Sequence, residues 1–283
     1  MRTVETLSPR TLEEALALKA EYEEGVLFLA GGTDVIPGIR SGGYKAERLL
    51  DLSHIAGLDQ VLERGSEIHI GPLVTHAALE NSSLVRTHLP ILGAACGSIG
   101  SVQIRNRGTI GGNLNHASPA ADTIPALQLL GAICEIRSSE GDRIVRMDGY
   151  CTCPGGTCLS PSEMLVGVRV QKMPPGARWF YRKLGQRRAM AIAKVSVGFL
   201  ANDDGGVLRH VRIALGAVAP TVCGAPETAA FLEGKRLDKG VIAEAAGMIR
   251  AESRPIADVR STVEYRRDMV GVLLAQGLRS LME

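Results

Sequence analysis

Aromatic residues are scarce in this 283-residue sequence, at 4% with a single Trp, and neither sign of charge dominates. Lys and Arg number 32 against 30 Asp and Glu, for a formal net charge of +2. No concentrated basic face is visible, which argues against a nucleic-acid binder. No run approaches the roughly 20 uninterrupted apolar residues of a membrane span. The opening residues Met1-Arg2-Thr3-Val4-Glu5 lack the apolar core of a secretion signal. A cytoplasmic protein without a membrane span is therefore expected. The GxGxxG fingerprint of a Rossmann fold is missing, and so is the GK[ST] of a Walker loop. There is no internal repeat and no low-complexity tract. The six cysteines, at 96, 134, 151, 153, 158 and 223, are expected as reduced thiols in the absence of a secretion signal.

What is present suffices for one large core or two modest ones, since 45% of residues are hydrophobic. Thr11-Leu12-Glu13-Glu14 has capping-box spacing and predicts a helix to about Glu23. Val26 to Ala30 reads as a buried strand that stops at Gly31-Gly32, and Asp51 to His54 as a turn. Glu67-Ile68-His69-Ile70 alternates like a half-buried strand. Thr75 is expected to cap a short helix, and one continuous helix is expected from about Ser83 to Ser98. Strands are predicted at 131–137, 143–147 and 164–170, with a polar turn over Ser138 to Asp142. Pro174-Pro175-Gly176 marks a break. Beyond it come strands at 178–184, 192–201 and 207–217, the last two joined at a hairpin signal, Asp203-Asp204-Gly205-Gly206. Helices follow at about 226–234, 239–251 and 261–281. The class is α+β, without the regular strand–helix alternation of a doubly wound sheet.

Two segments stand out chemically. Leu29-Ala30-Gly31-Gly32-Thr33-Asp34 and Gly108-Thr109-Ile110-Gly111-Gly112-Asn113 each run from an apolar stretch into a Gly-Gly pair and small polar residues. Successive backbone amides in such turns can converge on an anion, which glycine lets approach closely. Thr33, Thr109 and Asn113 can add side-chain bonds. Asp34 would repel a phosphate, so its expected role is to accept backbone N–H bonds within its own loop. Either Gly-Gly pair taken alone reads first as a tight turn.

The two segments together, about 75 residues apart, resemble the two FAD loops of the molybdenum hydroxylase flavoproteins, the family of the carbon monoxide dehydrogenase medium subunit and the xanthine dehydrogenase FAD portion. Ser118-Pro119-Ala120-Ala121-Asp122-Thr123-Ile124-Pro125, Tyr181-Arg182-Lys183, Arg187-Arg188 and the block from Arg212 to Thr221 resemble flanking segments of that family. The resemblance implies a vanillyl-alcohol-oxidase-like, PCMH-type FAD-binding domain over 1–173, in two parts of about 1–58 and 59–173. A smaller α+β C-terminal domain over 177–283 would follow. It also implies FAD contacts at Leu29, Ala30, Gly31, Gly32, Thr33, Asp34, Val35 and Ile36, and at Gly108, Thr109, Ile110, Gly111, Gly112 and Asn113. Ser118, Asp122, Leu165 and Lys183 match further contact positions, Asp122 toward a ribityl or ribose hydroxyl. Ile99 stands where some relatives place an aromatic against the flavin, with Tyr181 a candidate replacement. Core packing is the alternative for Leu165 and Ile99, and helix capping for Asp122.

The implied function is electron transfer from a partner's iron–sulfur clusters through FAD to NAD⁺ or another acceptor. The implied partners are a molybdopterin-binding large subunit and a [2Fe–2S] small subunit. The alternative is a self-contained FAD-dependent oxidoreductase. No catalytic acid or base is required, because the redox chemistry belongs to the cofactor. His116, just after the second loop, is placed to approach FAD. Arg105 and Arg107 could steer its phosphates or form an exposed basic turn. Cys151, Cys153 and Cys158 form a C-x-C-x4-C string in a Pro/Gly turn, where ordinary thiols are expected and no metal.

Overall fold

The computed structural model describes residues 4–187 and 189–282. The first 51 residues contain a small parallel sheet. Strands Glu5–Leu7 and Val26–Leu29 both pair with the central strand Arg48–Asp51. Helices Leu12–Tyr22 and Val35–Ser41 make the two crossovers. The first helix starts as expected, with Thr11 Oγ1 accepting from the Glu14 amide. Glu14 reaches back to the Arg10 amide, one residue before the cap. This strand–helix alternation differs from the sequence expectation. All three of its strands have only three or four residues; Val26–Leu29 shows as an apolar run, but Glu5–Leu7 and Arg48–Asp51 are too short to show a periodicity.

A five-stranded antiparallel sheet follows. Its order is Val61–Arg64, Glu67–Ile70, Met164–Gln171, Ile133–Ser138, Gly141–Arg146. Short helices between His76 and Leu129 pack against it and bury Leu79, Ile91, Leu92, Leu114 and Leu127. The expected single helix over 83–98 is two, Ser83–His88 and Pro90–Gly97, with Leu89 at φ −136° and ψ 47° between them. Pro90 has no N–H to continue the ladder and disfavours helical backbone before it, so it restarts the helix instead.

The third layer is an antiparallel sheet of Arg178–Leu184, Val195–Asp204, Val207–Gly216 and Cys223–Gly224. The second strand starts three residues later than expected and runs on to the hairpin, where Gly205 and Gly206 both have positive φ. Helices Pro226–Leu232, Lys239–Glu252 and Val263–Ser280 cover one face. The last approaches closely at Gly277, where a Cβ would lie 2.3 Å from the Phe180 ring. Gly247, by contrast, is exposed in helix Lys239–Glu252 with nothing within 4 Å of a Cβ. Gly247→Ala should stabilise the protein by about 0.5–1 kcal/mol, read as a higher urea midpoint at unchanged slope.

Candidate cofactor site

The two glycine loops converge on one cavity of about 540 Å³. The first loop leaves the strand Val26–Leu29 and enters the helix Val35–Ser41. The second caps the helix Ile110–His116, with Thr109 Oγ1 accepting from the Gly112 amide at 3.0 Å. The segment Pro72–His76 runs beside the second loop. His76 N–H donates to Gly108 O, Ile110 N–H to Val74 O and Gly111 N–H to Pro72 O, at 2.9–3.0 Å.

The glycines act mainly on protein neighbours. A Cβ on Gly31 would lie 1.8 Å from Arg107 O, so the backbones of the two loops touch there. A Cβ on Gly111 would lie 2.6 Å from the Pro72 side chain and 2.7 Å from Pro72 O. Gly32, at φ +72°, supplies the left-handed turn. The amides of Gly32, Thr33 and Asp34 donate to no backbone acceptor among the described residues, which leaves a run of open donors at the cavity. Asn113 accepts from the Thr123 hydroxyl through its carbonyl oxygen, which leaves its Nδ2 as a donor.

Asp34 differs from the expectation that it would accept backbone amides. Its Oδ2 accepts from the Tyr44 hydroxyl at 2.7 Å, and its Oδ1 lies 3.4 Å from His116 Nε2. It therefore links the first loop to the helix that follows the second. The Tyr44 pKa is pushed up to about 12, first by the hydrogen bond to Asp34 and then by burial.

Behind the cavity lies a buried polar cluster. Lys183 Nζ donates to Asp122 Oδ2 at 2.7 Å and to Ser98 O at 3.0 Å, and the Tyr181 hydroxyl donates to Asp122 Oδ1 at 2.9 Å. Burial raises the Asp122 carboxyl pKa, while Lys183 and Tyr181 act to lower it. Asp122 stands at the head of helix Thr123–Leu129 but makes no side-chain capping bond. The cluster ties the C-terminal sheet to the residue before Ile99, which lines the cavity.

Residues 2–172 match the family model described as the FAD binding domain in molybdopterin dehydrogenase. Residues 179–281 match the CO dehydrogenase flavoprotein C-terminal domain. The chain belongs to the molybdenum hydroxylase flavoproteins. It is 33% identical to the carbon monoxide dehydrogenase medium chain of Afipia carboxidovorans, over 95% of this chain and 93% of that one. It is 32% identical to the nicotine 6-hydroxylase medium subunit of Paenarthrobacter nicotinovorans, over 94% and 93%. The solved carbon monoxide dehydrogenase of Hydrogenophaga pseudoflava superposes with a TM-score of 0.96, covering 99% of this chain and 98% of that one at 31% identity.

This flavoprotein is thus an FAD-carrying oxidoreductase subunit with the PCMH-type architecture followed by a C-terminal α+β domain. Its cavity suits a dinucleotide, with open backbone amides at one wall and Leu27, Phe28, Leu52, Leu73, Met164 and Leu165 as apolar lining. Of the residues singled out from the sequence, Ala30 to Val35, Ile99, Gly108, Thr109, Gly111, Gly112, Asn113 and Leu165 line it. Leu29 and Ile36 line an adjoining cavity of about 390 Å³. Ile110 lies in the core, and Ser118 holds its own turn by accepting from the Ala120 amide. Asp122, Tyr181 and Lys183 form the cluster behind the cavity, so Tyr181 does not substitute for an aromatic at the Ile99 wall. The aromatics that line the cavity are Phe28 and Tyr44. His116 lines it, as its position after the loop suggested. Arg105 instead bonds Glu80 and Ile99 O.

Sequence reasoning missed Leu27, Phe28, Tyr44, Leu52, Pro72, Leu73, His76, Ile104, Asn115, Gly155 and Met164. Gly155 belongs to the cysteine-bearing turn, whose thiols are free. Among the described residues no group of three or more His, Cys, Asp or Glu could hold a metal. No helix among them is long and apolar enough to cross a membrane.

His76 gives the flavoprotein a pH signature. Burial, then the positive charge of Arg105, push its pKa down to about 4. The unfolded chain binds this proton below about pH 6.5. Stability present above that pH is therefore lost as pH falls toward 4, by up to about 3 kcal/mol. Urea titrations of the apo-protein at pH 7 and pH 4.5 should show the loss. The same loss in His76→Phe would assign it to other groups.

Proposed function

We propose that this chain is the electron-transfer subunit of a hetero-oligomeric molybdenum hydroxylase. It would take electrons from a [2Fe–2S] small subunit, reduced in turn by a molybdopterin-binding large subunit, and pass them to NAD⁺ or another acceptor. The observation that carries this reading is the full-length likeness to medium chains of such enzymes, spanning both family domains. FAD, when bound, supplies both one-electron and two-electron exchange, so no acid or base of this chain takes part in the redox step.

The chain's own residues bind and orient. The open amides of Gly32, Thr33 and Asp34 are suited to the pyrophosphate, and the Thr33 hydroxyl and Asn113 Nδ2 add donors. Ala30, Val35, Ile99 and Leu165 pack against the cofactor's less polar surface. Asp122, Tyr181 and Lys183 act from behind, holding Ser98 and hence the Ile99 wall in place. A domain boundary at residues 174–176 and a cytoplasmic location fit the same reading.

Reconstitution tests it. The purified chain with FAD alone should hydroxylate no purine, aldehyde or aromatic heterocycle. Added molybdopterin-binding and [2Fe–2S] subunits should restore substrate-dependent bleaching of its flavin absorbance. Turnover of such a substrate by the isolated chain would favour a self-contained oxidoreductase.

A further inference from the structure

His76 lines the cavity yet is only 3% exposed. Its Nδ1 is sealed from solvent and has no hydrogen-bond partner among the described residues. Its Nε2 has no bond among the described residues and is not among the sealed atoms, so it is the ring nitrogen left open. A neutral imidazole carries one proton on one nitrogen. A sealed N–H without an acceptor forfeits its hydration, so the proton belongs on Nε2. The backbone that carries the ring is anchored at two points. Thr75 caps helix His76–Asn81, and His76 N–H donates to Gly108 O at 2.9 Å. A Cβ on Gly108 would lie 3.1 Å from His76 Cδ2, the atom bonded to Nε2, and 3.4 Å from the Thr33 hydroxyl. Cδ2, the carbon beside Nε2, thus sits against Gly108 near Thr33, where the two glycine loops meet.

We propose that His76 is a further cofactor contact, with Nε2–H donating a hydrogen bond to an acceptor oxygen of FAD, in its pyrophosphate or its flavin ring. The proposal rests on this chain binding FAD and adds a residue from outside both loops. The depressed pKa keeps the imidazole neutral at pH 7, so it acts as a donor without bringing a charge. Gly108 contributes by leaving room for the ring.

Binding to the full apo-chain, followed by flavin fluorescence, tests this. His76→Phe keeps the ring's bulk and removes the donor, and should raise the Kd for FAD about tenfold. His76→Gln places an amide N–H near the Nε2 position and should recover most of the loss. ADP and riboflavin as separate probes assign the contact, since only the probe carrying the acceptor should lose affinity in His76→Phe. Histidine ¹⁵N spectra of the wild-type chain give a readout that survives if the variants misfold. They should show His76 as the Nε2–H tautomer, with that nitrogen shifting on FAD addition. Wild-type FAD affinity in His76→Phe, or an unmoved His76 signal in FAD-saturated protein, would overturn the proposal while leaving FAD binding intact. A wild-type chain that takes up no FAD would instead overturn the underlying assignment.

Discussion

Gly31→Ala should give a colourless protein. A Cβ there would meet Arg107 O at 1.8 Å, Arg107 C at 2.6 Å and Gly108 Cα at 3.1 Å. All three are backbone atoms, so no rotamer change can relieve the clash. The loops must move apart by more than an ångström, and both belong to the same cavity wall. Overpacking of this kind costs about 3 kcal/mol, or roughly 100-fold in FAD affinity if the strain falls on the bound state. The measurement is the ratio of flavin to protein absorbance after purification with excess FAD. Gly25→Ala, with nothing within 4 Å of its Cβ, is the matched control and should stay yellow. A fully yellow Gly31→Ala protein would show that contact between the loops is not needed for the cofactor.

The second large effect is expected at Lys183. Its ammonium and the Asp122 carboxylate form a buried pair between the helices before the C-terminal domain and the sheet within it. Lys183→Met leaves the Asp122 charge buried with only the Tyr181 hydroxyl as partner. Removing one member of such a pair costs about 3–5 kcal/mol. Urea denaturation at pH 7 should show this loss, and Asp122→Asn in the same chain should restore most of it. The pH dependence is a further check. Burial already raises the Asp122 pKa against the pull of Lys183. Without Lys183 the folded state binds this proton more readily than the unfolded state does. Stability then improves as pH falls toward the unfolded carboxylate range, so the deficit relative to wild type should shrink from pH 7 to pH 5. A deficit independent of pH would point to lost packing instead.

These two residues also divide what could be read in advance. The Gly-Gly pairs were visible in the sequence, and so was the need for glycine at them. Their purpose was not. Phosphate approach was the expected reason at both, yet Gly31 and Gly111 are glycines because Arg107 and Pro72 occupy the space beside them. Lys183 and Asp122 were legible only as cofactor contacts carried over from the family. Their mutual bond depends on a separation of 61 residues that folding closes.

The sequence by itself determined the local elements whose signals are local. Thr11 and Thr75 cap helices through their own hydroxyls, Gly205-Gly206 turns the hairpin, and Glu67–Ile70 alternates between core and solvent. It also determined the two loops and, through them, the family. Tertiary structure decided the parallel sheet at the N-terminus: Val26–Leu29 shows as an apolar run, but Glu5–Leu7 and Arg48–Asp51 are too short to show a periodicity, and only pairing joins the three strands. It decided that Asp34 bonds Tyr44 rather than its own loop. It placed His76 at the cavity, because backbone pairing between Pro72–His76 and the second loop brings its ring against Gly108. Capping and alternation act across two to four residues, whereas a cavity wall is assembled from segments far apart in the chain. Only packing brings those segments together, and no short-range pattern encodes it.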